Sequence, residues 1–205
     1  MLKIAVLGST KGTDLQAIID AINGARLKAE IVAVVSNKKD AFILQRAKKY
    51  RIPHIFLDPA GKSREEYDAE ILKVLKEKGA ELVLLIGYMR IVSSVFIEGY
   101  KNRIINVHPS LLPKFAGGMD VDVHKEVLKA REKVTGCTIH FVDENVDGGP
   151  IIMQREVNVL TSDTAETLKH RVQQAEQICL VKVLQLYANN QIKVVGNKVE
   201  ILQEG

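Results

Sequence analysis

Residues 2–24 read LKIAVLGSTKGTDLQAIIDAING, and their pattern decides the fold. Leu2–Leu7 is an apolar run with β-branched members that ends at Gly8, the pattern of a strand buried on both faces. Leu15, Ile18, Ile19 and Ile22 then recur at helical spacing, and Gly24 stops the helix. A buried strand, a glycine turn and an amphipathic helix form the opening of a βαβ unit. The pattern repeats downstream. Ala29–Ser36 predicts a second strand, Asp40–Lys49 a helix with Asp40 near its cap, and residues 54–57 a short strand after Pro53. Ser63 and Glu66 have capping-box spacing and open a helix that runs to Gly79. Glu81–Ile86 and Arg103–Val107 predict the fourth and fifth strands. Strands alternating with helices imply a parallel sheet covered on both faces.

The pattern changes after a helix predicted over Val123–Ala130. Val134–Val142 and Pro150–Val159 read as strands whose short link suits a hairpin, and a long helix follows over 164–187. Two short strand-like runs, Ile192–Val195 and Lys198–Leu202, join at Gly196-Asn197. The expectation is an α/β fold: a Rossmann-like, mostly parallel sheet with helices on both faces and an antiparallel strand element in the C-terminal half. No repeat, linker or low-complexity tract interrupts it, so residues 1–205 are expected to form a single domain.

Composition narrows the function classes. Hydrophobic residues are 46% and charged residues 26%, as in an ordinary globular chain with a sizeable core. The net charge of +4 is spread along the chain, and clusters such as Lys38-Lys39 and Lys48-Lys49-Tyr50-Arg51 read mainly as solvated faces. With aromatics at 5%, no basic stripe with stacking platforms is visible, which argues against a nucleic-acid partner. A small anionic substrate stays compatible with this balance. No apolar run approaches the ~18 residues of a membrane span, and the N-terminal run is too short for a signal peptide. Cys137 and Cys179 lack metal-type partners and are expected as buried free thiols, so the cytoplasm is the simplest location. A homodimer is left open.

Open parallel sheets bind ligands at the carboxyl ends of their strands. Gly8, Gly87 and Asn106–His108 all fall there. Gly8-Ser9-Thr10-Lys11-Gly12-Thr13-Asp14 places a glycine-containing turn at a helix N-terminus, where free N–H groups and the helix dipole favour an anion. It matches neither the dinucleotide nor the Walker pattern, and a plain turn capped by Thr13 or Asp14 remains the alternative. Asn106 and His108, two apart on a strand, share a face, and Pro109 keeps His108 extended. Both can donate to an oxyanion. Asp147, before Gly148-Gly149-Pro150, is either a turn former or a partner that orients His108 and raises its proton affinity. No nucleophile elbow surrounds Ser110, so direct attack by an amine suits the inventory better than a covalent enzyme intermediate. His54, His124, His140 and His170 show no metal-ligand spacing. Structural or surface roles are expected for all four, and no metal is expected.

Asn106-Val-His-Pro-Ser-Leu-Leu-Pro113 and Val134-Thr-Gly-Cys-Thr-Ile-His-Phe-Val-Asp-Glu-Asn-Val-Asp-Gly-Gly-Pro150 resemble the folate-dependent formyltransferases, and the likeness runs from Ile4 to about residue 187. The resemblance implies formyl transfer from 10-formyltetrahydrofolate as cosubstrate to the amine of glycinamide ribonucleotide. It implies Asn106, His108 and Asp147 as the catalytic trio. Lys11, Gly12, Thr13 and Asp14 match the loop for the ribonucleotide phosphate, and Glu176 matches a glutamate that contacts the ribonucleotide. Arg64 matches an arginine near the folate, and Met89, Arg90, Ile91 and Val92, with Asn106, match the folate-binding side. The chain departs from the family pattern at Lys11, Thr13 and Asp14, where Asn, Ser and Asn are more usual. It is also longer over Ala116–His124, beside the expected site. Two rival readings accompany the resemblance: formyltetrahydrofolate hydrolase or another formyltransferase of the superfamily, and an inactive ribonucleotide-binding protein.

Overall fold

A computed structural model describes residues 1–118 and 121–203, with the backbone alone at Val121 and Asp122. Seven strands form one sheet: β1 (Leu2–Leu7), β2 (Ala29–Ser36), β3 (His54–Phe56), β4 (Leu82–Leu85), β5 (Ile104–His108), β6 (Val134–Phe141) and β7 (Ile151–Asn158). Their order is β3-β2-β1-β4-β5-β6-β7. The first five are parallel, whereas β6 runs antiparallel to β5 and β7 antiparallel to β6. The order reverses direction between β1 and β4, so the loops leaving β1 and β4 diverge and leave a crevice at their carboxyl ends. A separate hairpin, β8 (Ile192–Val195) with β9 (Lys198–Ile201), forms at Gly196-Asn197 as its turn residues predict.

Alternation along the strands sorts the core into two layers. Ile4 and Val6 of β1 face one side and pack with Leu15, Ile18, Ile43, Val172 and Leu180. These come from α1 (Thr13–Asn23), α2 (Phe42–Lys49) and α6 (Ala165–Ala188). Ala5 and Leu7 face the other side, against Tyr67, Ile71 and Leu75 of α3 (Arg64–Glu77) and Phe96 of α4 (Ser94–Gly99). The period of two in a doubly covered strand requires this split. α5 (Val121–Lys129) joins the first layer through Val127. The short α4, capped by the Ser93 hydroxyl on the Phe96 amide, was not predicted by periodicity; six residues carry too little of it.

Local signals place most element ends. The capping box of Ser63 and Glu66 forms in both directions. One cap alternative is corrected: the α1 N-cap is Gly12 in the left-handed region with no side-chain cap, so neither Thr13 nor Asp14 caps the helix. The α2 N-cap is Ala41, with Asp40 directly before it as expected. Cys137 and Cys179 are both free and buried. Among the described residues, no helix is long and apolar enough to cross a membrane.

Gly149, just before β7, has the Phe141 carbonyl pressed against it: a Cβ there would sit 2.0 Å from that oxygen. We predict that Gly149→Ala lowers unfolding stability by roughly 1–3 kcal/mol, the range for overpacking a tight site. A urea midpoint unchanged from wild type would show that the β6–β7 link gives way freely.

Candidate active site

The glycine loop is held by hydrogen bonds from three neighbouring strand ends. Gly8 N–H donates to Val35 O at 3.0 Å and Ser9 N–H to Gly87 O at 3.0 Å. The Ser9 hydroxyl donates to Asn37 Oδ1 at 2.6 Å and accepts from Met89 N–H at 2.9 Å. Gly87 is left-handed, and a Cβ on it would meet Thr10 Oγ1 at 2.2 Å. Gly12 is left-handed too and packs directly on Ile43. This geometry turns the chain into α1 without a side-chain cap, so the first amides of α1 stay available to an anion.

The second half of the site forms where β5 meets the antiparallel β6. Asn106 pairs with His140 and His108 with Thr138 across the two strands, so Asn106, His108 and His140 share one face. Asp147 comes back from the β6–β7 link in a left-handed conformation, φ 54°, which Asp tolerates better than most residues. Its Oδ2 accepts the Gly117 amide at 2.8 Å and lies 3.3 Å from His108 Nδ1. Its Oδ1 accepts a long bond of 3.4 Å from Asn106 Nδ2 and stands 3.6 Å from His140 Nε2.

Ring roles follow from the acceptors. His108 Nε2 is 3.0 Å from the Phe115 carbonyl, which can only accept, so the proton of neutral His108 sits on Nε2. His140 Nδ1 likewise donates to Phe141 O at 2.9 Å, which leaves Nε2 to accept from Asn106 Nδ2 at 3.2 Å. The longer His140–Asp147 approach is therefore an electrostatic contact rather than a hydrogen bond.

Burial depresses the His108 pKa below the ordinary imidazole range; Asp147 and the Phe115 carbonyl pull it upward but do not win. The expectation that the carboxylate raises it is corrected: the push exists, and desolvation exceeds it. For Asp147, burial works to raise the pKa. The contact with His140, the Gly117 amide and the charge of His108 outweigh it, so the carboxyl titrates below its usual range. At neutral pH the pair is thus an imidazole with a bare Nδ1 facing a carboxylate, short of one proton and poised to take one.

Both halves open into one cavity of about 740 Å³. Lys11, Gly12, Thr13, Asp14 and Glu176 line it, as do Met89, Arg90, Ile91 and Val92, together with Asn106, His108 and Asp147. Val92 belongs to the apolar core, whereas Ile91 is exposed on the wall. Arg90 stacks over the Tyr67 ring at 4.7 Å, and its buried Nε has no partner. Arg64 is the exception. It opens α3, half-exposed, with Nε 3.3 Å from Glu65, and does not line the cavity.

Three groups escaped the sequence reading. His140 was expected as a structural strand histidine, yet it contacts Asn106 and Asp147; pairing β5 with β6 antiparallel would have placed it. His124, buried on α5, lines the cavity as well. Lys38 and Lys39, read as a solvated face, stand exposed on its rim. Phe115, just before the lengthened segment, and Gly117 within it are left-handed and bonded to His108 and Asp147, while Met119 and Asp120 lie outside the described residues.

Comparison with known proteins places this geometry. The family described as formyl transferase matches residues 2–184. The chain is 44% identical over 194 residues to the trifunctional purine biosynthetic protein adenosine-3 of Gallus gallus, covering 94% of this chain and 19% of that protein. It is 38% identical over 197 residues to phosphoribosylglycinamide formyltransferase of Escherichia coli K12, covering 96% of this chain and 92% of that one. The crystal structure of glycinamide ribonucleotide transformylase 1 from Symbiobacterium toebii superposes with a TM-score of 0.95 at 39% identity, covering 99% of this chain and 95% of that one. The chain thus spans about a fifth of the trifunctional relative and nearly all of the bacterial one.

The depressed Asp147 pKa has a sign that can be checked. Its stabilising contribution is fully present above the unfolded carboxylate range, near pH ~4, and is lost as pH falls through the lower folded value. Asp147→Asn should therefore destabilise most at neutral pH, and the gap in urea midpoint should narrow between pH 5 and pH 3. A gap that stays constant over that window would mean that Asp147 is not held ionised by its neighbours.

Proposed function

The chain belongs to the formyl transferase family, and from that premise we propose that it transfers a formyl group from 10-formyltetrahydrofolate to the amine of N1-(5-phospho-D-ribosyl)glycinamide, in de novo purine (IMP) biosynthesis. Residues 1–205 act as a single formyltransferase domain. The observation that carries the reading is that Asn106, His108 and Asp147 converge on a cavity that is also lined by the start of α1, which no side chain caps. A phosphate suits the amides after Gly12, with Lys11 beside them. Glu176 suits the ribonucleotide on its way to the reacting centre. The folate suits the wall of Met89, Arg90, Ile91 and Val92. Arg64 lies one helical turn before Tyr67, on which Arg90 stacks, and is left to the outer part of the folate.

The amine nitrogen attacks the formyl carbon, and the carbonyl pair moves onto oxygen. Asn106 meets this oxyanion with its amide by giving up the long bond to Asp147. His108 meets it with Nε2–H by exchanging the Phe115 carbonyl for the substrate. The proton released by the amine passes to the deficient His108–Asp147 pair. Collapse breaks the bond from the formyl carbon to N10, and that nitrogen takes up the proton. The products are the formylated ribonucleotide and tetrahydrofolate. Every group in this scheme comes from one copy of the chain, so a homodimer is not needed for chemistry. It uses no metal, nucleic acid or membrane, and it suits the cytoplasm.

Holding two substrates in register supplies much of the rate. We predict that Asn106→Ala and His108→Ala each lower kcat by ~10²–10³, the usual cost of one oxyanion donor. The check is a formyl-transfer assay with both substrates saturating. Near-normal turnover in either variant removes that residue from the mechanism. Formate release without an acceptor would instead identify a formyltetrahydrofolate hydrolase. Thermal stabilisation by the ribonucleotide without turnover would identify an inactive binding protein.

A further inference from the structure

Asp14 is the one described acidic side chain of the loop built for an anion. It is the second residue of α1, 6% exposed, and it lines the cavity beside Lys11, Gly12 and Thr13. The left-handed Gly12 already makes the turn, so Asp14 is not spent on capping, and its Oδ1 is buried without a hydrogen-bond partner. Charged and titratable groups line the same cavity from the neighbouring elements. Lys11 comes from the loop itself; Lys38, Lys39 and Asp40 precede α2; His124 comes from α5, and Lys169 and Glu176 from α6. Arg46 of α2 also donates to the Lys11 carbonyl at 3.4 Å.

A carboxylate and a phosphate dianion side by side repel each other, and Asp14 Oδ1 accepts no hydrogen bond that would hold it ionised there. We propose that Asp14 must be protonated for the phosphate end of the ribonucleotide to bind, so that substrate binding takes up one proton. Asp14 then donates through its carboxyl O–H, as a neutral amide at this position would through N–H. Burial independently moves Asp14 in the required direction, raising its pKa to about 7. The start of a helix ordinarily favours an anionic side chain, and burial acts against that preference here. The departure from Asn to Asp therefore makes the affinity of the loop dependent on pH. This rests on the loop being the phosphate subsite, as proposed above.

The linkage has a defined sign. Below pH 7 Asp14 is already neutral in the free protein, and affinity is insensitive to it. Above that, each pH unit costs up to about tenfold in affinity, because one proton must be supplied. The phosphate itself, with a second pKa near ~6, is fully dianionic over this range. Ribose 5-phosphate is the probe, because it lacks the amine that would titrate in the same window. Its Kd is measured by calorimetry from pH 6 to 8.5 for the full chain and for Asp14→Asn. The expected result is a wild-type Kd that rises about tenfold between pH 7.5 and 8.5, with Asp14→Asn flat above pH 7, where the phosphate is dianionic, and tighter at the alkaline end. Wild-type calorimetry at pH 8 in two buffers of different ionisation heat should report close to one proton taken up. That measurement holds even if the variant does not fold. Parallel pH profiles, no proton uptake, or no binding of ribose 5-phosphate at pH 6 would overturn the proposal. Failure of the formyl-transfer reading looks different: ribose 5-phosphate would bind with the expected pH dependence while no formyl transfer occurs.

Discussion

The largely buried carboxylate of Asp147 is the contact on which the rest of the site depends. It accepts from the Gly117 amide and Asn106, and it stands close to His108 and His140. Four segments are thereby drawn to one point: the end of β5, the end of β6, the β6–β7 link and the turn after Pro113. A charge taken from water is tolerated only when it is paired and hydrogen-bonded; the Gly117 amide and Asn106 supply the hydrogen bonds, and His108 becomes an ion-pair partner once protonated. The left-handed backbone at Asp147 and the close packing of Gly149 on Phe141 are the local cost of aiming the side chain inward. The electrostatic outcome, a carboxylate beside an imidazole that burial keeps neutral, is what makes the pair a proton acceptor.

The glycine-loop side of the cavity follows a different logic. There the polypeptide offers main-chain amides, and side chains only hold the loop in place. The Ser9 hydroxyl links the ends of β1, β2 and β4, and glycines at 8, 12 and 87 let their backbones approach closely. On the proposed phosphate reading, recognition by amides would tolerate side-chain change at Lys11 and Thr13. Asp14 is the replacement with a consequence, because its carboxyl is buried within the frame and not solvated outside it.

Much of this was legible in advance. Strand–turn–helix periodicity located β1, α1 and β2, and the capping box located α3. The coincidence of Gly8, Gly87 and Asn106 at strand ends located the cavity. Asn106 and His108 were legible as a pair because a strand has a period of two. His140 was not, since its own alternation fits a core strand equally well. Its place opposite Asn106 depends on the direction and register of β6, which no local pattern encodes. Arg64 was legible as a motif residue, yet its helix points it along the surface toward Glu65.

By itself the sequence determined the elements, the parallel sheet and the strand ends that line the cavity. Each of these is a short-range property of periodicity, turn chemistry or residue type. Only the tertiary structure decided the protonation of the site and the membership of its second tier. It set burial above the pull of Asp147 at His108, gave the tautomer of His140 through the Phe141 carbonyl, and left Asp14 inside the cavity uncapped and unpaired at Oδ1. Desolvation and long-range pairing cause all three, and both depend on what the fold packs around a group, not on its neighbours in the chain.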